Sequence, residues 1–401
     1  MRESIVVVGT GYVGLPAALM WARAGHRVVG VDINENLVRA INEGTMLVNE
    51  RELQDLLADP EVRTNLVART TPCEGDVFVV AVPTPVDRLK KICDLGAVEA
   101  ALESIAPFLR AGNLILLEST VPPMTCDKIV KPMIERLTGL GVPDEILVAH
   151  CPERILPGDI FQEIVHNARL IGGMDERSSV AAAKVYGAFV EGELHRTDAL
   201  TAELSKLMEN TYRDVNIALA NELAQICELL GADSATVREF ANKHPRVNIL
   251  KPGIGVGGHC IPVDPWFLKE VAPANSALIT VARRVNDEMP ARIASKVRRA
   301  VAHLAEPRIV ALGAAYKKNC EDTRESPAVE VVKILREDGY GVQHYDPLVR
   351  GMTYSSLAEA AKDSDLVVVL VAHDQIVSEL EQGRAGVEQV MRERQIIAFD
   401  D

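Results

Sequence analysis

Three glycines near the start of the chain, Gly9, Gly11 and Gly14, have the spacing G-x-G-x-x-G. A β-branched run over residues 5–8 precedes them, a helical stretch follows, and Asp32 ends the next predicted strand. Such glycines let the backbone turn tightly and approach a pyrophosphate at a helix N-terminus. A carboxylate at the position of Asp32 accepts hydrogen bonds from a ribose and repels a 2′-phosphate. The pattern predicts a dinucleotide site that prefers NAD to NADP; a glycine turn without a ligand is the alternative.

Cys260 follows a segment with four glycines in eight residues. The backbone of such a loop can approach a ligand, and the loop holds little that could bury the thiol. Most cysteines are inert buried hydrophobes, and we assign that role to Cys73, Cys126, Cys151, Cys227 and Cys320. A thiolate beside a nicotinamide captures a carbonyl, and loss of a hydride then leaves a thioester for water to hydrolyse. Cys260 therefore indicates oxidation at the aldehyde level.

Lys206, Asn210 and Arg213 recur at i, i+4 and i+7 in a predicted helix. This spacing places the three side chains on one helix face. They could supply a cation for a thiolate and hydrogen-bond donors for its intermediates. A solvated polar stripe has the same spacing, so the pattern alone leaves both interpretations open.

The elements that must position these residues alternate between strands and helices. Apolar runs predict strands at 5–8, 27–32, 77–82, 114–117 and 146–149 in the first half of the chain. Near residue 307 the alternation resumes, with strands at 308–312, 342–345, 366–371 and 395–399 and a helix at 327–337. Alternation of this kind predicts parallel sheets covered on both faces.

A long helix is predicted between the two regions, because neither glycine nor proline occurs from Thr201 to Leu230. The glycine-rich segment 252–262 that follows is predicted to be neither helix nor strand. We therefore predict an α/β protein with two Rossmann-like parallel-sheet domains, joined by a central helical domain with a long spine helix. The predicted boundaries are 1–195, 196–303 and 304–401.

The net charge of −14 over 401 residues argues against a nucleic-acid or acidic-membrane surface, since either needs a basic stripe. No apolar run approaches the ~18 residues of a membrane span. The first residues enter a strand directly, which leaves no room for a signal peptide. Seven cysteines without C-x-x-C or zinc-ligand spacing predict no metal site. We expect a reduced, cytoplasmic protein with no nucleic-acid or membrane partner.

Six motifs identify a family by their order along the chain. They are G-x-G-Y-V-G-L-P at 9–16, V-P-T-P at 82–85, E-S-T-V-P-P at 118–123, C-P-E-R-I at 151–155, G-G-H-C-I-P-V-D-P at 257–265 and D-T-R-E-S-P-A at 322–328. With these motifs the chain resembles the nucleotide-sugar 6-dehydrogenases, the UDP-glucose/GDP-mannose dehydrogenase family, over essentially its whole length. Segments 203–216, 244–250 and 263–267 are most similar to the members that oxidise UDP-N-acetyl-D-mannosamine.

The resemblance implies a role for each residue of the predicted catalytic group. Cys260 matches the nucleophile, and Lys206 and Asn210 match the donors to the substrate's C6 oxygen as it becomes an oxyanion. Lys206 would also carry the proton of the alcohol. Asp264 and Thr120 would orient the hydrolytic water.

Glu153 matches the acid that assists hydrolysis of the thioester. The residues that the resemblance places against NAD are Gly9, Gly11, Tyr12, Val13, Gly14, Asp32, Thr84, Thr120 and Arg324. Those that it places against the substrate are Arg154, Ile155, Lys206, Asn210, Arg213, His244, Arg246, Gly257, Tyr316 and Lys317.

The implied reaction is a four-electron, NAD-dependent oxidation of UDP-N-acetyl-D-mannosamine to its uronate, through a thiohemiacetal and a thioester. The N-terminal domain would hold NAD, the C-terminal domain the UDP group, and the central helix would form a homodimer or dimer of dimers. The product would supply polysaccharide or glycan assembly. The alternatives are the same reaction on UDP-N-acetylglucosamine or UDP-glucose, a two-electron hydroxyacid-type dehydrogenase, and a non-catalytic nucleotide-sugar sensor.

The chain departs from the family pattern at two positions and at its end. Met124 stands where a glycine is usual, and Cys93 where a proline is common. These residue types differ in backbone freedom, so the resemblance does not determine the shape of these loops near the cofactor. The chain also stops at Asp401, where relatives often continue to a basic residue that reaches the nucleotide.

Overall fold

The computed structural model describes residues 2–45, 51–87, 89–154, 160–352, 354 and 356–399. The chain divides into two compact units. The first unit is Met1–Glu209 with Trp266–Ala272, and the second is Asn210–Pro265 with Pro273–Asp401. The boundaries of the three predicted domains stay a prediction.

The described residues form two sheets, and their strands follow in chain order. They are β1 Ser4–Val8, β2 Arg27–Val31, β3 Leu66–Arg69, β4 Val77–Val80, β5 Leu114–Leu117, β6 Leu147–His150, β7 Arg169–Gly173, β8 Leu194–Asp198, β9 Arg308–Leu312, β10 Gly341–Tyr345, β11 Leu366–Val369 and β12 Gln395–Ala398. The first unit holds the sheet β3-β2-β1-β4-β5-β6-β7-β8, and the second holds the sheet β10-β9-β11-β12.

The α-helices of the described residues are also named in chain order. They are α1 Gly14–Arg23, α2 Glu35–Glu43, α3 Arg51–Ala58, α4 Pro60–Asn65, α5 Gly96–Ile105, α6 Lys131–Thr138, α7 Ile160–His166, α8 Glu176–Tyr186, α9 Ala199–Leu230, α10 Ser234–Ala241, α11 Asp264–Val271, α12 Ala277–Ala300, α13 Pro327–Glu337, α14 Leu357–Ala360 and α15 Asp374–Val390. Short 3₁₀ turns at Ala106–Phe108 and Pro273–Asn275 and a π-helix at Cys126–Val130 complete the set. Among the described residues, no helix is both long and apolar enough to cross a bilayer.

Strands of the first unit carry apolar side chains on both faces. Ile5 and Val7 belong to one buried cluster, and Val6 and Val8 belong to another. Because side chains alternate along a strand, the two clusters lie on opposite faces of the sheet, where helices cover them. The predicted α/β fold with parallel sheets is confirmed.

Strand β7 reverses the direction of the sheet. It pairs antiparallel with β6, with Ala149 opposite Gly173 and His150 opposite Gly172. Two glycines fit this register closely: a Cβ at residue 172 would lie 2.5 Å from Ala202 Cβ, and one at residue 173 would lie 2.4 Å from Asp175 O. Strands β3, β7 and β8 were not predicted from the sequence.

Helix α9 confirms the predicted long helix and has 32 residues. At 1.5 Å per residue it is about 48 Å long. It begins in the first unit and ends in the second. The glycine-rich segment 252–262 contains no helix or strand, as predicted.

Candidate functional site

The glycine turn after β1 uses each of its glycines differently. Gly9 has φ +91°, and its N–H donates to Val31 O at 2.8 Å. A Cβ on Gly9 would lie 2.4 Å from Ala81 O, and one on Gly14 would lie 1.9 Å from Gly9 O. A Cβ on Gly11 would meet no atom within 4 Å. Gly9 and Gly14 therefore serve packing, whereas Gly11 keeps open space beside the backbone, as a pyrophosphate requires.

Asp32 lies beside this turn, immediately after β2. Its Oδ2 accepts from Thr10 N at 3.0 Å and from Thr10 Oγ1 at 3.2 Å, and its Oδ1 accepts from Asn34 N at 2.9 Å. The residue is only half-buried, and an ionised carboxylate has about four acceptor sites. Asp32 can therefore accept further bonds from ribose hydroxyls.

The N-terminus of α1 is suited to an anion. No carboxylate lies in its first turn, and its N-cap residue Val13 makes no side-chain capping bond. The first N–H groups of a helix have no partner within the helix, and they favour a phosphate. Together with the open space at Gly11 and the acceptor Asp32, this end of the sheet fits NAD.

The loops after β4 and β5 are tied together by their own hydroxyls. Val82 N donates to Ser119 Oγ at 2.9 Å, and Thr84 Oγ1 donates to Thr120 O at 2.6 Å. β4 and β5 are adjacent parallel strands, so their carboxyl ends meet at one edge of the sheet. The structure thus brings the predicted residues Thr84 and Thr120 together.

A buried ionic cluster lies at the ends of β5, β6 and β7. Arg169 Nη2 bonds both Glu118 Oε1, at 3.4 Å, and Glu153 Oε2. Tyr186 Oη donates to Glu118 Oε1 at 2.5 Å. Burial raises the pKa of Glu118 to about 7, although the charge of Arg169 opposes this. We name Glu118, Glu153, Arg169 and Tyr186 the arginine cluster.

Within the arginine cluster, Glu153 is the one residue for which the sequence predicted a role. Glu118 opens the motif E-S-T-V-P-P, but its type gave no reason to expect a buried carboxylate. Arg169 begins a strand that the pattern did not predict, and Tyr186 lies in no motif. A signal for Arg169 existed in the apolar pair and two glycines that follow it, Leu170 to Gly173.

Arg154 is a predicted substrate residue that already has a carboxylate partner. Its Nη2 lies 2.5 Å from Glu209 Oε1, and its Nε donates to Glu209 Oε2 at 3.1 Å. Lys206 is half-buried one turn before Asn210. His150, at the end of β6, is fully buried; burial lowers its pKa to about 3, and the charge of Lys206 lowers it further. Ile155 lies outside the described residues.

In the second unit, Cys260 is exposed, and its surroundings are compact. Its Sγ lies 3.3 Å from His259 Nδ1. Burial and the charge of Arg324 lower the pKa of His259, so the imidazole is neutral at pH 7. Gly258 N donates to Arg324 O at 3.1 Å. The thiol therefore has a nearby neutral nitrogen and a loop anchored by its backbone.

Glycines 257 and 258 allow Tyr316 to pack on this loop. A Cβ on Gly257 would lie 2.7 Å from Tyr316 Cβ, and one on Gly258 would lie 3.0 Å from Tyr316 Cε2. Burial is the main cause that raises the pKa of Tyr316 to about 12. Lys317, the next residue, is half-buried. The structure thus brings the predicted residues Gly257 and Tyr316 together beside Cys260.

Asn210 and Asp264 form a direct pair. Asn210 Nδ2 donates to Asp264 Oδ2 at 2.5 Å, and Asp264 is only 3% exposed. Asp264 N also donates to Cys260 O at 2.9 Å, so one turn of backbone joins the thiol residue to α11. An amide nitrogen has two N–H groups. Asp264 takes one of them and thereby fixes the direction of the other.

The remaining predicted residues of the second unit lie nearer its surface. Arg324 forms a fork with Asp322, with Nη2 at 2.6 Å and Nε at 3.0 Å from Oδ2. Although burial opposes it, these bonds hold the pKa of Asp322 below its usual value. Arg213, His244 and Arg246 are exposed, and Arg246 N donates to His244 Nδ1 at 3.3 Å.

Both departures from the family pattern have a structural explanation. Met124 adopts φ +71°, a conformation that favours glycine. Its N–H donates at 2.6 Å to the buried carboxylate of Glu203, which also accepts from Cys126 N at 2.9 Å. Cys93 N donates to Glu270 Oε2 at 2.8 Å, a bond that proline could not make.

Comparison with known proteins agrees with this geometry. Three models of the UDP-glucose/GDP-mannose dehydrogenase family match the chain: the NAD binding domain at residues 3–190, the central domain at 200–288 and the UDP binding domain at 310–398. The chain is 48% identical over 377 residues to a UDP-N-acetyl-D-mannosamine dehydrogenase of Methanocaldococcus jannaschii, covering 93% of this chain and 86% of that relative.

Two further similarities broaden the comparison. An NDP-N-acetyl-D-galactosaminuronic acid dehydrogenase of Ralstonia nicotianae is 42% identical over 387 residues, 93% of this chain and 91% of the relative. The structure of the UDP-N-acetyl-mannosamine dehydrogenase Cap5O from S. aureus superposes with a TM-score of 0.91 at 42% identity, covering 99% of this chain and 95% of that chain.

Proposed function

Because the chain belongs to the UDP-glucose/GDP-mannose dehydrogenase family and is an NAD-dependent UDP-sugar dehydrogenase, we propose that its substrate is UDP-N-acetyl-D-mannosamine and its product UDP-N-acetyl-D-mannosaminuronate. The names of the Methanocaldococcus and S. aureus relatives support this sugar. The observation that carries the proposed chemistry is the exposed thiol of Cys260, one backbone turn from the Asn210–Asp264 pair.

The proposed reaction has four covalent changes. The C6 alcohol loses a hydride and a proton and becomes an aldehyde. The thiol of Cys260 adds across the aldehyde to give a thiohemiacetal, which loses a second hydride and proton to give a thioester. Water then breaks the C–S bond and forms a C–O bond; the carboxylate leaves, the thiol is restored, and one proton is released. NAD, when bound, supplies the acceptor for each hydride. Two molecules of NAD are used for each sugar, and each accepts one hydride.

The protein groups have separate proposed tasks in this reaction. Lys206 takes the proton of the alcohol, and Lys206 and Asn210 donate hydrogen bonds to the C6 oxygen as negative charge develops on it. Asp264 holds the amide of Asn210, and with Thr120 it orients the water. Glu153 carries a proton in the hydrolysis.

The substrate proposal is tested with a panel of sugars. Purified protein is assayed with NAD and UDP-N-acetylmannosamine, UDP-N-acetylglucosamine, UDP-N-acetylgalactosamine or UDP-glucose. We expect kcat/KM to be highest for the manno sugar, with two NADH formed for each sugar. A preference for a gluco or galacto sugar would overturn the sugar assignment. One NADH per sugar would overturn the thioester route and favour a two-electron dehydrogenase.

The thiol proposal is tested with Cys260→Ser, and Cys320→Ser is the matched control in the same unit. We expect Cys260→Ser to lose at least 100-fold in formation of the acid, while Cys320→Ser stays within twofold of the wild type. A Cys260→Ser protein that completes the acid at the normal rate would rule out the covalent route. Binding of NAD and UDP-sugar by the wild type without turnover would favour a sensor.

We further propose that the second half of α9 forms a homodimer. Its exposed apolar residues include Leu219 at 54%, Ile226 at 51% and Leu229 at 84% exposure, and Phe240 on α10 is 65% exposed. Large exposed apolar patches mark association sites. Light scattering at assay concentration measures the mass directly, and a monomer would contradict this proposal. A cytoplasmic location and use of the product in polysaccharide assembly complete the proposal.

A further inference from the structure

The arginine cluster is costly in desolvation free energy, and the packing of the fold does not account for it. Arg169 is 5% exposed, Glu118 0% and Glu153 10%. Burial of charges costs several kcal/mol for each ion unless the pairing is excellent. The pairing here is incomplete, because Glu118 Oε2 is buried and has no hydrogen-bond partner among the described residues. Buried groups left unsatisfied in a native structure often serve a function.

The antiparallel direction of β7 places Arg169 in the arginine cluster. In the antiparallel register Ala149 faces Gly173 and His150 faces Gly172, so the first residue of β7 lies at the edge of the sheet where β6 ends. Glu153 follows β6 at this edge, and Arg169 Nη2 bonds its carboxylate. A parallel strand at this place would bring its first residue to the other end of the sheet.

Two contacts besides Glu153 hold the guanidinium of Arg169, and a further bond joins the two residues that make them. Its Nη2 bonds Glu118 Oε1, its Cζ lies 4.3 Å from the ring centroid of Tyr186, and Tyr186 Oη donates to the same Glu118 oxygen. The ring of Tyr186 packs in turn on Trp21, with 5.4 Å between the ring centroids. Glu118 and Tyr186 thus hold the guanidinium in place, and its remaining contact in the cluster is Glu153.

We propose that Arg169 is the residue that positions Glu153 for hydrolysis of the Cys260 thioester, and that Glu118 and Tyr186 hold Arg169 in place. This inference rests on the proposed function, in which Glu153 carries a proton while water breaks the C–S bond and forms the C–O bond. Arg169 acts through Glu153 and is not itself a catalytic residue. Loss of the bond from Arg169 to Glu153 therefore slows hydrolysis and leaves the first hydride transfer intact.

The test is Arg169→Lys, which keeps the positive charge but removes the planar guanidinium that lies over the ring of Tyr186. Arg177→Lys is the control, because Arg177 is a 57% exposed arginine that pairs with Asp144 and Asp175. Each protein is mixed with NAD and UDP-N-acetylmannosamine. We follow NADH by stopped flow and the covalent state of Cys260 by quenching and intact mass.

For Arg169→Lys we expect the rate of the first NADH burst to stay within about threefold of the wild type and the steady-state rate to fall about 10- to 100-fold. The mass of the acyl group should then appear on Cys260 at steady state. Arg177→Lys should match the wild type in all three measurements. Burst and steady state slowed equally, or no acyl adduct, would overturn the inference, since a purely structural role produces that result.

Tyr186→Phe provides a second test that keeps the ring and removes only the hydroxyl. We expect a smaller fall in the steady-state rate, about three- to tenfold, with the same acyl adduct. If Arg169→Lys does not fold, this variant decides alone, and absence of its adduct overturns the inference. Failure of the proposed function is detected separately, with the wild-type protein. In that case the wild type itself would form one NADH per sugar.

Discussion

Each sheet of this protein contains a βαβ motif that ends in an aspartate, and the two aspartates do different work. In the first motif a turn from Gly9 to Val13 joins β1 to α1, and Asp32 follows β2. In the second a longer turn, from Gly313 to Ser326, joins β9 to α13, and Asp346 follows β10. Both turns begin with a glycine at positive φ, +91° and +86°. In both, the aspartate accepts N–H groups of the turn.

The two carboxylates differ in what remains available to a ligand. Asp32 is half-buried, and among the described residues its carboxylate accepts bonds from Thr10 and Asn34. Asp346 is fully buried. It accepts from Ala314 N at 2.6 Å, from Leu348 N at 2.8 Å and from His373 Nε2 at 3.0 Å. His373 Nδ1 accepts from Asn319 N at 2.8 Å, which leaves the proton on Nε2 for Asp346.

One topological position can therefore serve either as a ligand acceptor or as an internal clamp. The clamp in the second motif holds a long turn, and that turn carries the predicted residues Tyr316, Lys317 and Arg324. The aspartate of the first motif stays accessible, and its short turn leaves open space beside the backbone at Gly11. A nucleotide bound by the second motif must be recognised by side chains of the turn instead of Asp346.

The largest effect that tests this comparison is expected from Asp346→Ala. The change leaves His373 and several buried N–H groups without an acceptor, so we expect a loss of about 3–5 kcal/mol in unfolding free energy. Thermal and urea unfolding followed by circular dichroism measure the loss. Asp32→Ala is the control, with an expected loss below about 1 kcal/mol. Equal losses in the two variants would contradict the comparison.

The second prediction concerns cofactor affinity. Asp32→Ala removes the charged acceptor for the ribose, so we expect the Kd for NAD to rise about 10- to 100-fold. Discrimination against NADP should fall as well, because the carboxylate no longer repels a 2′-phosphate. Isothermal titration calorimetry with each cofactor measures both effects. An unchanged Kd would mean that Asp32 is only a clamp, as Asp346 is.

A third prediction contrasts Asp346 with another fully buried carboxylate, Glu118. Although burial opposes it, hydrogen bonds lower the pKa of Asp346 to about 2, whereas burial raises that of Glu118 to about 7. The folded protein therefore binds the Glu118 proton more tightly than the unfolded chain does. The stability that this proton provides is present at low pH and is lost as pH rises through about 7.

Glu118→Gln tests this contrast, since glutamine cannot ionise. The groups that face Glu118 are Arg169, Tyr186, Glu153 and Cys151. From pH 5 to pH 8 we expect the variant to gain on the order of 1–2 kcal/mol in unfolding free energy relative to the wild type. Tryptophan fluorescence reports on the first unit, because Trp21 and Trp266 both lie there. A pH-independent difference would contradict the raised pKa.

The smallest effect concerns the turn positions. Gly9 and Gly313 occupy positive φ as glycines, whereas Met124 does so with a side chain at φ +71°. Met124→Gly relieves about 1–2 kcal/mol of left-handed strain and loses part of it to the greater freedom of the unfolded chain. We expect a net gain of about 0.5–1 kcal/mol, measured by urea unfolding. A loss would show that the Met124 side chain packs productively.

Most of the fold could be predicted from the sequence, because the apolar runs are long and well separated. Strands β5 and β9 and helix α13 begin and end where their patterns predict. Helix α9 was predictable because no glycine or proline interrupts it. Strand β8 was missed because Leu194–Asp198 is mostly polar and largely exposed, so it resembles a loop.

The candidate site was predictable wherever the residues of one motif imply a local backbone conformation. The spacing of Gly9, Gly11 and Gly14 implies a turn, and the glycines before Cys260 imply an accessible loop. The arginine cluster was not predictable, because Glu118, Arg169 and Tyr186 are far apart in the chain and meet only through strand order. The direction of β7 depends on which edge of the sheet is free, and no local pattern encodes it.

The close fit of Gly172 and Gly173 determines how a substitution at either glycine would affect the reaction. Because side chains alternate along a strand, a slip of one residue in β7 would turn Arg169 to the opposite face of the sheet. In the proposed reaction, a lesion at either glycine would leave an enzyme stalled with its half-finished product still attached. Activity would therefore depend on two glycines whose close neighbours include Ala202, Asp175 and Ser179 of the same unit.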